Sequence, residues 1–208
     1  MNDHQEQQSE EEGEEMEMTQ LGVSRSFKHP LRCKWTMWFF KIEPNLPWED
    51  CQKEVTSFNT VEDFWSLYNH IEPPSRLKPG RDYSLFKEGI KPMWEDERNC
   101  KGGRWLVTIN KQQRSTELEI LWLEILMLMI GENFEDHNEE ICGAVVNIRN
   151  KGDKIGVWTA NSKNKCGILK IGEICKSAMK LNSTQTITYQ AHSAQQKKGS
   201  DVRSMYTI

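Results

Sequence analysis

Apolar positions along this chain follow two rhythms. The run Trp-Thr-Met-Trp-Phe-Phe-Lys at 35–41 is dense in aromatics and predicts a strand; Pro44, Asn45 and Pro47 break it and leave Trp48 in a loop. Residues 104–110 alternate after Gly102 and Gly103 and predict another strand, 83–86 a short one, and 89–97 an irregular excursion carrying Trp94 and Glu95. Segments 145–149 and 155–159 are strand-like and joined by Asn150-Lys151-Gly152-Asp153, a hairpin signal. Residues 187–191 read as a last strand before a polar loop at 195–201. The helical rhythm appears at 61–70, with Thr60 and Asp63 at capping distance and Pro73 and Pro74 as a stop. It returns at 118–130, where Thr116 and Glu119 have capping-box spacing and Gly131 is placed to end the helix. A third stretch, 168–181, contains Gly172, which weakens the reading. Strands interrupted by several helices, without regular strand-helix alternation, predict an α+β domain.

One of these helices has too little polar surface. Between Ile120 and Ile130 only Glu124 is polar, whereas a helix covering one side of a soluble domain needs an apolar stripe and a polar remainder. Leu118, Leu121, Trp122, Ile125 and Met129 form a stripe that can face a sheet, leaving Leu123, Met127 and Ile130 pointing elsewhere. The helix is either internal, covered by the N-terminal segment, or its outer face binds a protein, with Trp65 of the preceding helix extending the patch.

Composition narrows the class. The 208 residues are 37% hydrophobic and 28% charged, as in a soluble globular protein, and no stretch reaches the apolar length of a membrane span. The chain opens on charged and polar residues without a basic-then-apolar leader, so a cytoplasmic site is expected, with the nucleus or RNA granules as further compartments. Six widely spaced cysteines form no CxxC pair, so they read as reduced structural thiols, with no metal or cofactor expected. Residues 1–20 hold eight acidic side chains and no Lys or Arg, and the rest carries 23 acidic against 27 basic groups. Two regions follow: a disordered acidic segment at 1–27 and one domain at 28–208, whose excess of positive charge can attract phosphate.

Five of the eight tryptophans, Trp35, Trp38, Trp65, Trp105 and Trp122, lie in apolar or periodic segments and read as packing. Trp48 and Trp94 do not. Each alone is better explained as a loop indole covering the core edge. Together they can enclose a planar base, and stacking contributes roughly 1 to 3 kcal/mol per base. A positively charged methylated base would add cation–π attraction. Glu95, an acceptor-only carboxylate beside Trp94, matches the N–H donors of a guanine edge, although its acidic surroundings equally suit a solvated side chain. If 150–153 is the hairpin loop, Arg149 and Lys154 stand opposite one another, and Lys154, Gly156 and Trp158 share a sheet face. Opposed cations are unfavourable unless solvent or an anion intervenes, which makes this pair a candidate phosphate grip; a basic, solvated hairpin is the plainer alternative. Lys197 and Lys198 offer a further flexible contact.

The same residues carry a resemblance. His29-Pro30-Leu31, Trp35 to Phe40, Val61-Glu62-Asp63-Phe64-Trp65, Tyr83 to Phe86, Pro92-Met93-Trp94-Glu95-Asp96, Gly102-Gly103-Arg104-Trp105, Trp122-Leu123-Glu124, and Cys142 to Arg149 followed by Lys151-Gly152-Asp153-Lys154 together resemble the eukaryotic translation initiation factor 4E family of mRNA cap-binding proteins. The resemblance runs from His29 to the C-terminus. It implies a strongly curved antiparallel sheet of about eight strands with three helices on its convex face. It also implies 7-methylguanine stacked between Trp48 and Trp94, with Glu95 and the Trp94 backbone N–H at the guanine edge and Trp158 beside the N7 methyl. Arg149 and Lys154 are implied as triphosphate ligands, with Arg104 and Lys198 in support. On the opposite side His29, Pro30, Val61, Trp65, Leu123, Glu124 and Met127 match the surface that takes the Tyr-x-x-x-x-Leu-hydrophobic motif of scaffold initiation factor 4G and of 4E-binding repressors.

The sequence departs from the family pattern in three places. Met127 stands where many relatives carry leucine, 42–51 diverges around Trp48, and the tail 193–204 differs, with Asp201 near a position where relatives often carry a regulatory serine. The resemblance implies a non-enzymatic protein that binds 7-methylguanosine-capped mRNA in translation initiation or its regulation. A cap hydrolase using Glu95, Asp96 and Glu97 as metal ligands is disfavoured because no further ligand constellation or nucleophile-base pair accompanies them. An adaptor with a decayed cap site is the other rival.

Overall fold

In the computed structural model, residues 27–182, 184–195 and 204–208 are described. The expected acidic segment therefore lies, except for Phe27, outside the described residues, as do Lys198 and Asp201. The strands are β1 (Pro30–Lys41), β2 (Gln52–Thr60), β3 (Arg81–Lys87), β4 (Gly103–Ile109), β5 (Ile141–Asn147), β6 (Asp153–Thr159), β7 (Thr188–Ala191) and β8 (Tyr206–Thr207). They form one eight-stranded sheet in the order β2-β1-β3-β5-β6-β4-β7-β8, antiparallel at every pairing. The helices are α1 (Val61–His70), α2 (Leu118–Ile130) and α3 (Lys165–Ala178), with a single further turn at His192–Gln195. The α+β class is as expected.

Side-chain alternation gives the sheet two different faces. Trp35 and Met37 of β1, Tyr83 and Leu85 of β3, Ala144 and Val146 of β5, Ile155 and Val157 of β6 and Trp105 and Val107 of β4 meet the buried sides of all three helices in one core. The opposite face carries a smaller cluster of Phe86, Ile90, Cys142, Val145 and Trp158. Of the candidate ligand residues, Arg104, Lys154 and Trp158 belong to this second face.

Local chemistry accounts for the helix ends. At α1 the Asp63 N–H donates to Thr60 Oγ1 at 3.2 Å, and that hydroxyl donates to Asp63 Oδ2 at 2.7 Å, as the capping spacing predicts. The expected Thr116–Glu119 box at α2 does not form. The cap position is Glu117, without a side-chain cap bond; Thr116 turns back to the Gln113 carbonyl, and Glu119 instead accepts from Ser75. Gly131 does end α2, but the left-handed residue is Glu132 (φ 50), whose N–H reaches Met129 O while the Asn133 N–H reaches Leu128 O. Glu132 is held there by β1, where Arg32 Nη1 lies 3.2 Å and Cys33 Sγ 3.0 Å from its carboxylate. Helix α3 begins and ends three residues earlier than expected, because Asn164 caps it by accepting from the Gly167 N–H. Its Gly172 has a packing reason: a Cβ there would sit 2.5 Å from the Trp105 ring, so the glycine lets α3 close onto the sheet.

Candidate cap-binding site

Trp158 forms the floor of the second sheet face. It is 6% exposed, meets Phe86 edge-on at 5.4 Å between ring centroids, and contacts His192 at 4.3 Å. The register places Arg104 directly beside it, and two residues earlier in β6 Gly156 leaves the indole Nε1 without a Cβ wall. Trp158 Nε1, Arg104 Nε and both His192 ring nitrogens are buried without hydrogen-bond partners among the described residues. Burial, with the Arg104 charge second, pushes His192 down to about 3, so the imidazole is neutral; burial also lowers Arg104.

Two further indoles lie on loops beside the sheet. Trp48, 50% exposed, lies in the β1–β2 loop against Phe40, 5.6 Å between ring centroids. Trp94, 36% exposed, lies in the β3–β4 loop. That loop folds back over the face, since Ile90 packs with Phe86 and Trp158. Its shape is set by Asn99, fully buried, whose amide donates to the Lys91 and Met93 carbonyls at 2.8 Å each. Asp96 completes it by accepting from the Lys91 and Arg98 N–H groups. The Trp94 N–H and the exposed Glu95 carboxylate take no hydrogen-bond partner among the described residues. Asp96 is thus engaged in shaping the loop, and among the described residues no group of three or more His, Cys, Asp or Glu is arranged to hold a metal.

The basic hairpin differs from its sequence reading. Lys154 is paired across the sheet with Asn147, and Arg149 is not opposite it, because Asp153 already belongs to β6 and pairs with Ile109. Gly152, at φ 146 and with an added Cβ 3.0 Å from Ile109 O, supplies the turn backbone that a larger residue resists. Asp153, fully buried, receives Arg114 in a two-pronged pair at 2.6 and 2.7 Å and also the Arg149 N–H at 3.0 Å. The Arg149 guanidinium lies against Asp82, whose carboxylate hydrogen bond raises its pKa. Lys154 is exposed on the same face as Trp158 and makes no ion pair among the described residues. Repulsion between opposed cations is therefore not the signature of this hairpin; two buried aspartates set its form.

Across the sheet, His29 and Pro30 enter β1 beside α1: the Val61 N–H donates to His29 O, and His29 Nδ1 meets Glu62 at 2.6 Å. Trp65 is half-buried, edge-on to Phe64 and Tyr68. On α2 the outward stripe is Ile120 (61% exposed), Leu123, Glu124 and Met127 (39% exposed), while Ile130, expected to point outward, is 6% exposed in the core. The N-terminal segment that the internal reading of α2 needs as its cover lies outside the described residues. The C-terminal end of α2 is tied to β1 through Glu132, and its first turn faces Ser75 and the end of α1. Trp65 and Leu123 both pack, half-buried, on the same core, and Met127 is exposed four residues on from Leu123.

Sequence reasoning missed Asp82, Asn99, His192 and the Arg114–Asp153 pair. Asp153 was visible only as a turn residue, and nothing in the spacing marks the other residues.

Comparison with known proteins follows the same outline. The family model described as eukaryotic initiation factor 4E matches residues 30–206. Eukaryotic translation initiation factor 4E1 of Drosophila melanogaster is 51% identical over 183 residues, 88% of this chain and 70% of that one. Eukaryotic translation initiation factor 4E of Homo sapiens is 46% identical over 201 residues, 96% and 93% respectively. Among solved structures, the Ascaris suum eIF4E-3 complex with an m2,2,7G cap has a TM-score of 0.83 at 53% identity, covering 88% of this chain and 99% of that one. The C. elegans eIF4E-3 complex with the 4E-binding protein Mextli and a cap analog has a TM-score of 0.81 at 43% identity, covering 88% and 100%.

Proposed function

The chain belongs to the eukaryotic initiation factor 4E family, and on that premise we propose that it binds the 7-methylguanosine cap of mRNA on its helix-free sheet face and recruits a scaffold or repressor protein on its helical face. It acts in translation initiation or its regulation, by binding and not as an enzyme. The observation that carries this reading is the coincidence on one face of the Trp158 floor, the Trp94 loop folded over it and the Arg149–Lys154 hairpin at its end. Trp48 and Trp94 stack the base, aided by curvature of the sheet, and Glu95 with the Trp94 N–H reads the guanine edge. Trp158 lies by the N7 methyl, and Arg149 and Lys154 hold phosphates with Arg104 and Lys198 in support.

On the other face His29, Pro30, Val61, Trp65, Leu123, Glu124 and Met127 receive an amphipathic helix of the Tyr-x-x-x-x-Leu-hydrophobic type, from initiation factor 4G or a 4E-binding repressor. Relatives solved with Mextli or with 4E-BP support the choice of partner class. The domain is residues 28–208 and its site of action the cytoplasm.

Competition for immobilised 7-methylguanosine triphosphate by unmethylated, 7-methylated and trimethylated cap analogues tests the reading. Displacement by the 7-methylated analogue at far lower concentration than by the unmethylated one is expected. Equal displacement by these two would remove the cap assignment. Because the Ascaris relative has been solved with both m7G and m2,2,7G caps, displacement by the trimethylated analogue is expected as well.

A further inference from the structure

An arginine offers five N–H donors in a fixed plane, and which of them are already engaged decides how it can meet an anion. In Arg149 the two N–H bonds of Nη1 are directed to Asp82 Oδ1 and to the Ile148 carbonyl, 2.9 Å away. One N–H of Nη2 goes to Asp82 Oδ2 at 2.9 Å. The Nε–H and the remaining Nη2–H have no partner among the described residues, and they lie on the same edge of the guanidinium. Asp82 has thus taken the end-on fork and left the side-on fork intact, on a side chain 44% exposed.

Asp82 is itself held. It is 6% exposed and receives Asn147 Nδ2 at 2.8 Å and the Ile148 N–H at 3.3 Å. The backbone of Arg149 is fixed independently, its N–H to Asp153 at 3.0 Å and its carbonyl by Arg114 Nη2 at 2.7 Å. Backbone and guanidinium are therefore both held by groups of the protein itself.

We propose that Asp82 is a positioning residue for cap binding: it holds the Arg149 guanidinium so that its free side-on edge meets one phosphate of the triphosphate bridge as a two-pronged donor. The proposal rests on the cap-binding reading above and deepens it. Orientation here opposes charge, because a carboxylate close to bound phosphates repels them, so electrostatics alone predicts that neutralising Asp82 tightens phosphate binding. Pre-ordering predicts the reverse, since an arginine no longer held must be immobilised on binding.

The test is affinity for 7-methylguanosine triphosphate and for the 7-methylguanosine nucleoside, measured by fluorescence titration on wild type, Asp82→Asn, Asp82→Glu, Arg149→Gln and the Asp82→Asn/Arg149→Gln double variant. Asp82→Asn is expected to weaken the triphosphate about tenfold, the scale of a charge-assisted hydrogen bond, and to leave the nucleoside unchanged. Asp82→Glu, which keeps the charge and shifts the carboxylate, is expected to weaken it too. In the Arg149→Gln background Asp82→Asn is expected to cost nothing further. Unchanged or tighter triphosphate binding in a folded Asp82→Asn protein overturns the proposal, as does full affinity in Asp82→Glu. Full triphosphate affinity in Arg149→Gln would instead sink the phosphate-site reading itself. A measurement on the unaltered chain covers the case of variants that do not fold: in arginine-labelled wild type, NMR is expected to show slow rotation about the Arg149 Cζ–Nη bonds before ligand and a shift of its Nε–H when the triphosphate is added. Free rotation before ligand would overturn the proposal.

Discussion

Trp35 and Trp94 are the same side chain in opposite circumstances. Trp35 is 1% exposed among the residues between sheet and helices, whereas Trp94 stands 36% exposed on a loop shaped by Asn99. Trp35→Ala should cost stability by about 3 to 5 kcal/mol, through lost burial and a cavity. Trp94→Ala should cost affinity for a methylated cap by about 1 to 3 kcal/mol with little change in melting temperature. Titration and thermal unfolding of both variants check this, and equal affinity losses in folded proteins would erase the distinction. His192 makes a second residue-scale prediction. Its folded value of about 3 lies below the ordinary 6.5, so between those values the unfolded chain holds a proton that the folded chain does not. Stability should then be unaffected by this residue above pH 6.5 and fall as pH drops through that window, by up to ~1.4 kcal/mol per pH unit. Urea melts between pH 7 and 5 should show a slope that His192→Gln lacks. Glu62 and Asp63, whose values are lowered chiefly by their hydrogen bonds to His29 and Lys28, lose their contributions only at more acid pH, so they leave this range clear.

At the scale of elements, the hairpin between β5 and β6 carries a charge prediction. Lys154 is exposed and unpaired among the described residues, so Lys154→Ala should weaken triphosphate caps, spare the methylated nucleoside and flatten the dependence of affinity on salt by about one counterion. Titrations at several salt concentrations decide it; an unchanged salt slope with equal loss for both ligands would point to a folding role instead. The hairpin also shows what a sequence can reveal. Asn150-Lys151-Gly152-Asp153 announced the turn, but the register depended on Asp153 being buried against Arg114, a residue 39 positions away, and no local pattern encodes that pairing. The helices α1 and α2 were legible in their spans because Thr60 and the Pro73-Pro74 stop bound the first and a long apolar run ended by Gly131 marks the second. Strand β2 was not, since its outward positions carry Lys53, Glu54 and Thr56 and only Phe58 is buried, a composition suited to an exposed edge strand and hard to tell from a loop. Strand β8, two residues long, has no pattern to read. Of the site, the conspicuous tryptophans and the basic pair were visible, while the buried groups that hold them, Asp82, Asn99 and His192, appeared as ordinary polar residues.

At the scale of the molecule, one sheet separates the two proposed binding surfaces. The side chains of β6 alternate between them: Ile155 and Val157 enter the core beneath the helices, while Lys154 and Trp158 face the other way. Apolar exposure on the helical side is costly in isolation, because burying a Leu or Ile side chain is worth roughly 1.5 to 3 kcal/mol. Ile120 and Met127 nevertheless remain exposed on α2. The proposed partner helix, covering that stripe and the half-buried Trp65, would recover this energy without touching the proposed cap face. Trp65→Ala should therefore remove an anchor and weaken a Tyr-x-x-x-x-Leu-hydrophobic peptide by 2 kcal/mol or more, roughly thirtyfold, with little effect on a cap analogue. Trp65 also packs edge-on against Phe64, itself fully buried, so its loss risks a cavity that disturbs both faces. Leu123→Ala and Glu124→Ala lessen that risk, because both side chains are only part-buried on α2. Peptide binding, cap binding and melting temperature measured on all three variants separate the cases. Loss of peptide alone at an unchanged melting temperature is the expected result; undiminished peptide affinity in folded Trp65 and Leu123 variants would defeat the helical-face assignment. Parallel loss of both ligands with a lowered melting temperature would mean that these side chains support the sheet and not a partner.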